Sequence, residues 1–260
     1  MSTQSFVLVD GVRAECFPVD DRGLMYGDGV FRTLRVAGGR PRWWHEQLAK
    51  LADDCAQIGL TVPDASHWQA DLDLLSPCLG DGVLKLIVTR GSGPRGYLPP
   101  ASAIPRRLMR YDAIASNMIA PSADGISVRL CTLRLGQQPR LAGIKHLNRL
   151  ENVLARAEWN STDIHEGLLL DQAERVISGV MSNLFIWRDQ GKQSRLLTPR
   201  LDQCGVAGVA RARLMRLARA QGLQVEEVVL SLQDVFDADE VMLTNSVSGL
   251  RRVARLESKT

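Results

Sequence analysis

One lysine lies in a stretch of apolar and small residues and is the side chain in this sequence best suited to covalent chemistry. The segment 141–151 reads Leu-Ala-Gly-Ile-Lys-His-Leu-Asn-Arg-Leu-Glu, with Lys145 near its centre. A lysine that is partly removed from water favours its neutral amine, which can attack a carbonyl carbon to form a Schiff base. A solvated surface lysine is the alternative that these residues alone leave open. We predict Lys145 as a catalytic residue.

The element that follows this lysine is predicted to be a helix with one apolar face. Apolar residues recur at helical spacing after the lysine segment, whereas the charged residues fall off that stripe. The stripe consists of Leu150, Val153, Leu154 and Ala157. Lys145 therefore lies just ahead of an amphipathic helix, whose apolar face we expect to be buried.

Five segments, the lysine segment among them, occur in the same order as in a known enzyme family. They resemble the aminodeoxychorismate lyases, which are pyridoxal-phosphate (PLP) enzymes of the family that contains the branched-chain and D-amino-acid aminotransferases. The segments are 21–31, 90–97, 143–148, 182–185 and 198–202. The resemblance covers nearly the whole chain. It implies PLP as the cofactor, carried by Lys145, and a homodimer with its active site near the subunit boundary.

The same resemblance implies a two-domain, mixed α/β fold of type IV. The smaller N-terminal domain is of the α/β type, and the larger C-terminal domain is β-barrel-like with helices. Residues 110–123 lack a clean period after a strand, which is typical of a segment that joins domains. We predict the N-terminal domain at 1–115, the linker at 116–123 and the C-terminal, PLP-binding domain at 124–260.

Strand and helix signals fit this division. Asp10-Gly11 and Gly38-Gly39 predict two hairpins, because these dipeptides supply the positive backbone angles of tight turns. Apolar steps of three and four predict a helix over 44–58, and the branched run 83–89 predicts a central strand. Further strands are predicted at 126–135, 167–170, 175–177, 183–187, 225–230 and 240–244, with a helix that begins near Val209 and ends at Gly222.

Composition narrows the class of protein. The chain has 260 residues, 45% of them hydrophobic, and a net charge of +3, with dispersed basic residues that do not indicate nucleic-acid binding. Its five cysteines lack any metal-type pairing, which indicates a reducing compartment and no metal site. No stretch has the length or apolarity of a signal or membrane span, so we expect a cytoplasmic protein that makes no membrane contact.

In the N-terminal domain, the resemblance implies roles for several polar residues. Thr33 matches a threonine whose hydroxyl faces the substrate, and we predict it as a catalytic residue. Tyr26 begins the segment that leads to it and is predicted to bind the substrate, although Tyr26-Gly-Asp-Gly alone reads as a plain turn. Lys50 replaces an arginine that contacts the cofactor phosphate, with a surface lysine as the alternative. Arg90 and Arg95 flank a glycine-rich loop and could bind a substrate carboxylate, and either could instead be structural.

In the C-terminal domain, a helix start is the expected phosphate site, because its free amides and dipole favour an anion. The resemblance assigns this role to the amides of Gly208, Val209 and Ala210. Relatives commonly carry a hydroxyl where this chain has Ala210, so the backbone must supply more of the binding. The remaining cofactor-binding residues that we expect are Asn183, Asn245, Ser246 and Ser178.

Ser178 is the largest departure from the family, because relatives carry a glutamate there that pairs with the pyridine nitrogen of the cofactor. Serine offers a hydrogen bond but no negative charge, so the ring should be a poorer electron sink. Glu174 is no obvious substitute, since four residues of strand span about 13 Å.

Three functions follow from the resemblance. The leading one is a lyase that converts 4-amino-4-deoxychorismate to 4-aminobenzoate and pyruvate in folate biosynthesis, because aromatisation drives that reaction and it tolerates Ser178. The second is a D-amino-acid or branched-chain aminotransferase, which depends more on the ring as an electron store. The third is a noncatalytic PLP-binding relative, against which the intact Lys145 argues.

Overall fold

The chain forms two compact units, each made of two separate segments of the sequence. The structure is a computed structural model that describes residues 5–114, 124–189, 191 and 194–257. The first unit comprises Met1–Ala120 with Ile144–Asn148, and the second comprises Pro121–Gly143 with Arg149–Thr260. Residues 144–148, which include Lys145, therefore belong to the first unit. The linker predicted at 116–123 lies outside the described residues, and the domain boundaries stay a prediction.

The first unit is built on a six-stranded antiparallel sheet in the order β2-β1-β6-β5-β3-β4. Its strands are β1 (Ser5–Val9), β2 (Val12–Arg13), β3 (Gly29–Ala37), β4 (Arg40–Pro41), β5 (Gly82–Thr89) and β6 (Arg106–Ala113). The predicted central strand is β5, which pairs with β3 and β6. Both predicted hairpins are confirmed: Asp10, Gly11, Gly38 and Gly39 all have positive φ at the tips of β1–β2 and β3–β4.

The first unit has three helices among its described residues, and the second and third of them pack on one face of the sheet. They are α1 (Arg22–Tyr26), α2 (Trp44–Gln57) and α3 (Ala65–Leu75), and a 3-10 turn follows at Ser76–Cys78. Alternate residues of β3, such as Leu34 and Val36, are fully buried in one core with Leu51 and Cys55 of α2 and Trp68 of α3. The predicted helix at 44–58 is confirmed, and it is this apolar face that holds α2 against the sheet.

Strand β6 corrects one part of the linker prediction, because residues 110–113 belong to this strand and not to a segment that joins the domains. Residues 110–113 are part of β6, in register with both β1 and β5. The sequence hides the strand because charged residues occupy its exposed positions. Arg110 and Asp112 point to one face and pair with each other, whereas Met109 and Tyr111 are buried on the other.

The second unit contains an eight-stranded mixed sheet in the order β12-β11-β10-β13-β14-β7-β8-β9. Three of its pairings are parallel, β11 with β12, β14 with β7 and β7 with β8. The predicted strands are all present, and the strands β11 and β14 are additional. The strands are β7 (Ile126–Leu135), β8 (Glu166–Asp171), β9 (Val176–Gly179), β10 (Asn183–Arg188), β11 (Arg195–Pro199), β12 (Gln224–Val228), β13 (Glu240–Asn245) and β14 (Gly249–Glu257).

Three helices belong to the second unit, and the first of them corrects a prediction. They are α4 (Leu150–Arg156), α5 (Val209–Ala220) and α6 (Leu232–Phe236). The apolar stripe expected to be buried on α4 is open in the single chain, since Leu150, Val153 and Leu154 are 69%, 60% and 56% exposed. Only Ala155 anchors this short helix in the core. Among the described residues, the helices are all too short or too polar to cross a membrane.

Candidate active site

The backbone around Lys145 is held on both sides by the first unit. The N–H of Phe31 donates to the carbonyl of Lys145 at 2.9 Å, and the N–H of Leu147 donates to the carbonyl of Gly29 at 2.9 Å. The N–H of Lys145 in turn donates to Oδ2 of Asp54 at 3.2 Å. The lysine segment therefore runs along the free edge of β3 at its start, and the buried carboxylate of α2 fixes the peptide that precedes the lysine.

The side chain of Lys145 is half-buried over an aromatic ring. Its Nζ lies 4.5 Å from the centroid of the Phe31 ring, and Nζ of Lys85 lies 4.9 Å from the same centroid. Thr33 follows Phe31 by two residues on β3 and is the cross-strand partner of Lys85. Because residues two apart on a strand share a face, Thr33 and the two lysines belong to one side of the sheet. The structure thus brings together the two residues predicted as catalytic.

Lys85 is a second cation on this face that the sequence did not single out. Burial lowers the pKa of its amine from the ordinary 10.5, the nearby Arg110 guanidinium lowers it further, and the Asp112 carboxylate acts in the opposite direction. This side of the sheet therefore carries two lysine side chains that are partly shielded from water, and their positive charge suits an anionic ligand.

Lys50 does not stand alone as the phosphate contact that was predicted. Its Nζ is paired with Oδ1 of Asp54, one turn further along α2, and its side chain is 21% exposed. Asp54 is itself completely buried and also pairs with Nη2 of Arg32 on β3. Burial lowers the pKa of Arg32 from its ordinary value, and the carboxylate of Asp54 opposes that effect. Any contact of Lys50 with a phosphate would have to share the amine with Asp54.

Arg90 makes structural contacts within the first unit, as one of the alternatives that the sequence left open requires. Its Nε donates to Oδ2 of Asp28 at 2.8 Å, and its two terminal nitrogens donate to the carbonyls of Gly59 and Ile58 at 2.7 and 3.0 Å. The residue is 7% exposed. These three bonds favour the structural alternative for Arg90, and its contact with a substrate carboxylate stays a prediction.

The glycine-rich loop that follows Arg90 is fastened by α1. Arg22 donates to the carbonyls of Gly96 and Tyr97 at 2.8 and 2.9 Å, and the hydroxyl of Tyr26 accepts from the N–H of Gly96 at 3.1 Å. The rings of Tyr26 and Tyr97 contact each other in a tilted arrangement, with centroids 5.4 Å apart and planes at 59°. Tyr26 thus supports the loop, and Arg95 is the exposed cation that the loop presents.

In the second unit, one asparagine ties two segments into a cradle. Nδ2 of Asn183 donates to the carbonyl of Val206 at 2.7 Å, and its Oδ1 accepts from the N–H of Gly208 at 3.2 Å. Both groups of the side-chain amide are therefore used inside the protein. A Cβ at position 208 would lie 2.4 Å from Oδ1 of Asn183, so only glycine fits there. These two bonds make Asn183 a residue that positions the loop, and the direct cofactor contact expected of it stays a prediction.

The helix that starts after this loop has no side-chain cap. Gly208 is the N-cap residue of α5, in an extended conformation. The first amides of a helix have no partner inside it, so those of Val209 and Ala210 are suited to an anion. Gly208 is an exception among the amides predicted for this role, because its N–H already donates to Asn183.

The end of β13 lies beside the start of β10. Asn183 is the cross-strand partner of Thr244, and Asn245 follows directly. Oδ1 of Asn245 accepts from the amides of Val247 and Ser248 at 2.9 and 2.7 Å, which closes a turn around the half-buried Ser246. Within the second unit, the residues expected around a phosphate therefore converge from β10, β13 and the start of α5.

Comparison with known proteins assigns the chain to a family. A family model described as class IV amino-transferase matches residues 29–256. The chain belongs to the class IV aminotransferases. It is 32% identical to an aminodeoxychorismate lyase of Vibrio harveyi, over 96% of this chain and 91% of the relative. A putative branched-chain-amino-acid aminotransferase of Methanocaldococcus jannaschii is 30% identical, over 93% and 83% of the two chains.

The solved structures include a 4-amino-4-deoxychorismate lyase from Pseudomonas aeruginosa that superposes on this chain with a TM-score of 0.89. The two sequences are 44% identical, and the superposition covers 98% of this chain and 92% of the chain from Pseudomonas aeruginosa. The resemblance inferred from the motifs and the predicted mixed α/β fold are both confirmed. Because the chain belongs to this family, the serine at position 178 stands where the resemblance predicts a glutamate.

Ser178 lies on β9, buried and opposite Leu169 of β8. Glu174, the nearest carboxylate along the chain towards the turn, is paired with Arg134 at 2.6 and 2.9 Å and has a side chain that is 65% exposed. Glu166 is buried, and burial raises its pKa, but its oxygens accept from Gly167, Met181 and Ser182. Neither glutamate takes the place of the carboxylate that the family resemblance leads us to expect at position 178.

Two supporting residues escaped sequence analysis, Asp54 and Glu166. The sequence spacing could have indicated part of the role of Asp54, because Lys50 and Asp54 are four residues apart on a helix and can form an ion pair. Its bond to the backbone of Lys145 joins residues 91 apart in sequence, and nothing local indicates it.

Proposed function

We propose that this class IV aminotransferase homologue is a PLP-dependent lyase that converts 4-amino-4-deoxychorismate to 4-aminobenzoate and pyruvate. The observation that carries the proposal is the geometry at Lys145, whose backbone is fixed on both sides while its half-buried amine lies over Phe31 beside Thr33. The similarity to the lyases of Vibrio harveyi and Pseudomonas aeruginosa supports this reaction among those of the family.

Each unit, taken by itself, offers groups that suit such a cofactor. Lys145 offers an amine for covalent attachment, and the uncapped start of α5 offers the amides of Val209 and Ala210 to a phosphate. Asn245 and Ser246 complete the second unit's contribution, with Gly208 and Asn183 shaping the loop. Lys50 adds a positive charge that it shares with Asp54. When bound, PLP supplies an electron-withdrawing ring that stabilises negative charge at the carbon bearing the substrate amine.

Lys145 has two tasks in this proposal. In the PLP-loaded protein its Nζ would hold the cofactor, and when free of it the same amine would act as the general base that takes the proton from the substrate carbon bearing the amine. The hydrogen bonds from Phe31 and to Asp54 keep the backbone in place during this change. Only the side chain then has to move, so the amine returns to the same position at the end of the turnover.

Thr33 and Arg95 are assigned to the substrate. The Thr33 hydroxyl lies on the same face of β3 as Phe31 and can donate one hydrogen bond to a substrate oxygen. Arg95 is exposed on the loop that Arg22 and Tyr26 fasten, and its fork suits a carboxylate. Arg90 is left out of the substrate site because the core occupies its guanidinium.

Ser178 favours the lyase over an aminotransferase. A serine beside the cofactor ring offers a hydrogen bond but no counter-charge, so the ring stores electrons less well. Formation of an aromatic product drives pyruvate release, whereas transamination has no such help. The similarity to a putative branched-chain aminotransferase keeps that reaction as the alternative to be tested.

The test is a pair of assays on the purified, PLP-loaded protein. Aminodeoxychorismate should give 4-aminobenzoate and pyruvate in equal amounts, with a change in the visible spectrum on mixing. Amino acids with a keto-acid acceptor should give little turnover. Transamination without pyruvate release would support the aminotransferase, and the absence of any amine turnover would support a noncatalytic PLP-binding protein.

Attachment at Lys145 is tested by borohydride reduction of the PLP-loaded protein followed by peptide mapping. The label should lie in the peptide that contains Lys145. A label on Lys85 or Lys50, or no label at all, would contradict the assignment.

We further infer a homodimer that covers the apolar face of α4. Asn152 donates to the carbonyl of Val180 at 2.8 Å, so α4 lies against the turn that carries Met181. Apolar patches of this kind usually mark interfaces. The side chains left open in the single chain are Leu150, Val153, Leu154 and Met181.

Light scattering should find a dimer, and Leu154→Asp should shift it towards the monomer. Leu217→Asp, at an equally exposed apolar position of α5, is the matched control and should leave the dimer intact. A wild-type monomer with full activity would refute the dimer.

The five free thiols are in keeping with a reducing, cytoplasmic location.

A further inference from the structure

A single buried carboxylate links the helix α2, the strand β3 and the lysine segment. Asp54 is completely buried, and its two oxygens meet three donors: the Lys50 amine, the Arg32 guanidinium and the backbone N–H of Lys145. These donors come from different parts of the chain. An arrangement in which both oxygens of a buried carboxylate have partners fixes its orientation, because rotation would break more than one bond.

The pair with Arg32 is what makes the carboxylate a fixed point. Arg32 lies on the buried face of β3, between the core positions of Val30 and Leu34, and is 2% exposed. Among the polar atoms that the structure describes, Nε of Arg32 has no hydrogen-bond partner, so Asp54 supplies its counter-charge. A buried guanidinium needs such a partner, and the strand therefore holds Asp54 in place.

We propose that Asp54 is a positioning residue that fixes the peptide before Lys145 and thereby sets the place from which the lysine amine acts. This inference rests on the proposed function, in which Lys145 carries the cofactor. Asp54 holds the N–H of the lysine and Phe31 holds its carbonyl, so the two peptide units that flank its Cα are both anchored to the same unit. Arg32 and Lys50 act through Asp54 and touch neither the substrate nor the cofactor in this role.

The experiment is hydrogen exchange of the backbone amides in the full chain, read by mass spectrometry on peptides that cover 143–148. In the cofactor-free protein, Asp54→Ala should make the Lys145 amide exchange about tenfold faster, the size expected for losing one hydrogen bond to a charged acceptor. Asp54→Asn retains an acceptor oxygen and should restore part of the protection. Peptides covering β5 should be unchanged.

The matched control is Asp71→Ala. Asp71 is a carboxylate of the same unit, 1% exposed, that pairs with Arg107 through both oxygens and does not contact the lysine segment. It should leave the exchange of the Lys145 amide within about threefold of wild type. Equal acceleration in both variants, or no acceleration in Asp54→Ala, would overturn the proposal.

Asp54→Ala leaves Arg32 buried without its counter-charge, so a second variant is needed if the first fails to fold. Arg32→Met combined with Asp54→Ala removes the charge and the acceptor together, and the same faster exchange is expected. Borohydride mapping of the wild-type protein separates the two proposals. A label away from Lys145 would refute the cofactor assignment and leave the exchange result standing, whereas a label on Lys145 with unchanged exchange would refute the role of Asp54 alone.

Discussion

Around Lys145 the first unit relies on buried charges, whereas around Gly208 the second unit relies on neutral hydrogen bonds and on the absence of a side chain. Asp54 and Arg32 fix the lysine segment, and Asp28 with Arg90 anchors the strand end that precedes the glycine-rich loop. In the second unit, Asn183 bridges two backbone groups, and no charged group takes part in that bridge.

The difference matters because the two devices fail in different ways. A buried ion pair is sensitive to loss of either charge and to protonation of its carboxylate. A cradle built from backbone groups is insensitive to both, but it has no room for an added methyl group. The first unit should therefore respond to charge and pH, and the second to shape.

The largest effect is expected from Lys145→Ala, which separates covalent from noncovalent binding. Loss of the general base should lower kcat on the order of 1000-fold. The borohydride label should vanish, while equilibrium dialysis should still detect PLP held through its phosphate by the second unit. Lys85→Ala should keep the label and serves as the control. Retained activity in Lys145→Ala would contradict its catalytic role.

Asp28→Asn should destabilise the first unit next most strongly. The variant removes the negative charge that Arg22 and Arg90 share, and breaking a buried pair in this way costs about 3 kcal/mol of unfolding free energy. Urea unfolding at neutral pH measures this loss. Asp112→Asn, whose partner Arg110 is half exposed, should cost less than about 1 kcal/mol.

Asp28→Asn should also reduce the loss of unfolding free energy that the protein shows as the pH becomes acidic. Burial acts to raise the pKa of Asp28, but the hydrogen bonds and charges of Arg90 and Arg22 hold it below 3.8, its ordinary value. A carboxyl with a lowered pKa in the folded state contributes stability that is complete above pH 3.8 and is lost as the pH falls further. The wild type should lose this contribution below pH 3.8, and Asp28→Asn should not; parallel profiles would refute the assignment.

Gly208→Ala probes the second unit by shape. The added methyl group would lie 2.4 Å from Oδ1 of Asn183, at a φ that alanine tolerates, so the loop must shift. Overpacking costs about 1 to 3 kcal/mol, which predicts a PLP dissociation constant about 5- to 150-fold higher. Gly136→Ala, where the methyl group would meet only the end of the Glu151 side chain, is the control. Unchanged PLP affinity would argue against the cradle.

The smallest effect is expected from Ser178→Glu, for which only the direction is firm. A carboxylate that faces the pyridine nitrogen would favour its protonated form and raise transamination relative to pyruvate release. Ser178→Gln adds the same bulk without the charge and is the control. The ratio of the two activities should be compared in folded, PLP-saturated protein. A ratio that is the same in both variants would show that charge at this position does not select the reaction.

Local sequence patterns predicted the helices and strands well, but they did not predict the contacts that hold the site residues in place. The hairpin at Asp10-Gly11 and the helix α2 follow from neighbouring residues, and both are confirmed. The roles of Asp54 and Arg90 depend on partners far away in sequence, 91 residues for the first and 62 for the bond to Asp28. Neither a motif nor a period records such a bond.

The apolar stripe on α4 failed for a related reason. Periodicity indicates that a face must be covered, but it does not say by what. Leu150, Val153 and Leu154 are open in the single chain, so the pattern identified an apolar face correctly and its burial within this chain wrongly. A second copy of the chain is the cover that we propose.

The discontinuity of the first unit has a consequence for synthesis on the ribosome. Residues 145–147 pair with the edge of β3 at Gly29–Phe31. When the strands β1 to β6 have left the ribosome, that edge is still open, and at about 5 to 20 residues per second it stays open until residue 148 has followed. Exposed strand edges recruit other chains. The nascent protein therefore passes through an aggregation-prone interval that ends when the lysine segment closes the edge, and a fragment truncated before residue 144 would remain in it.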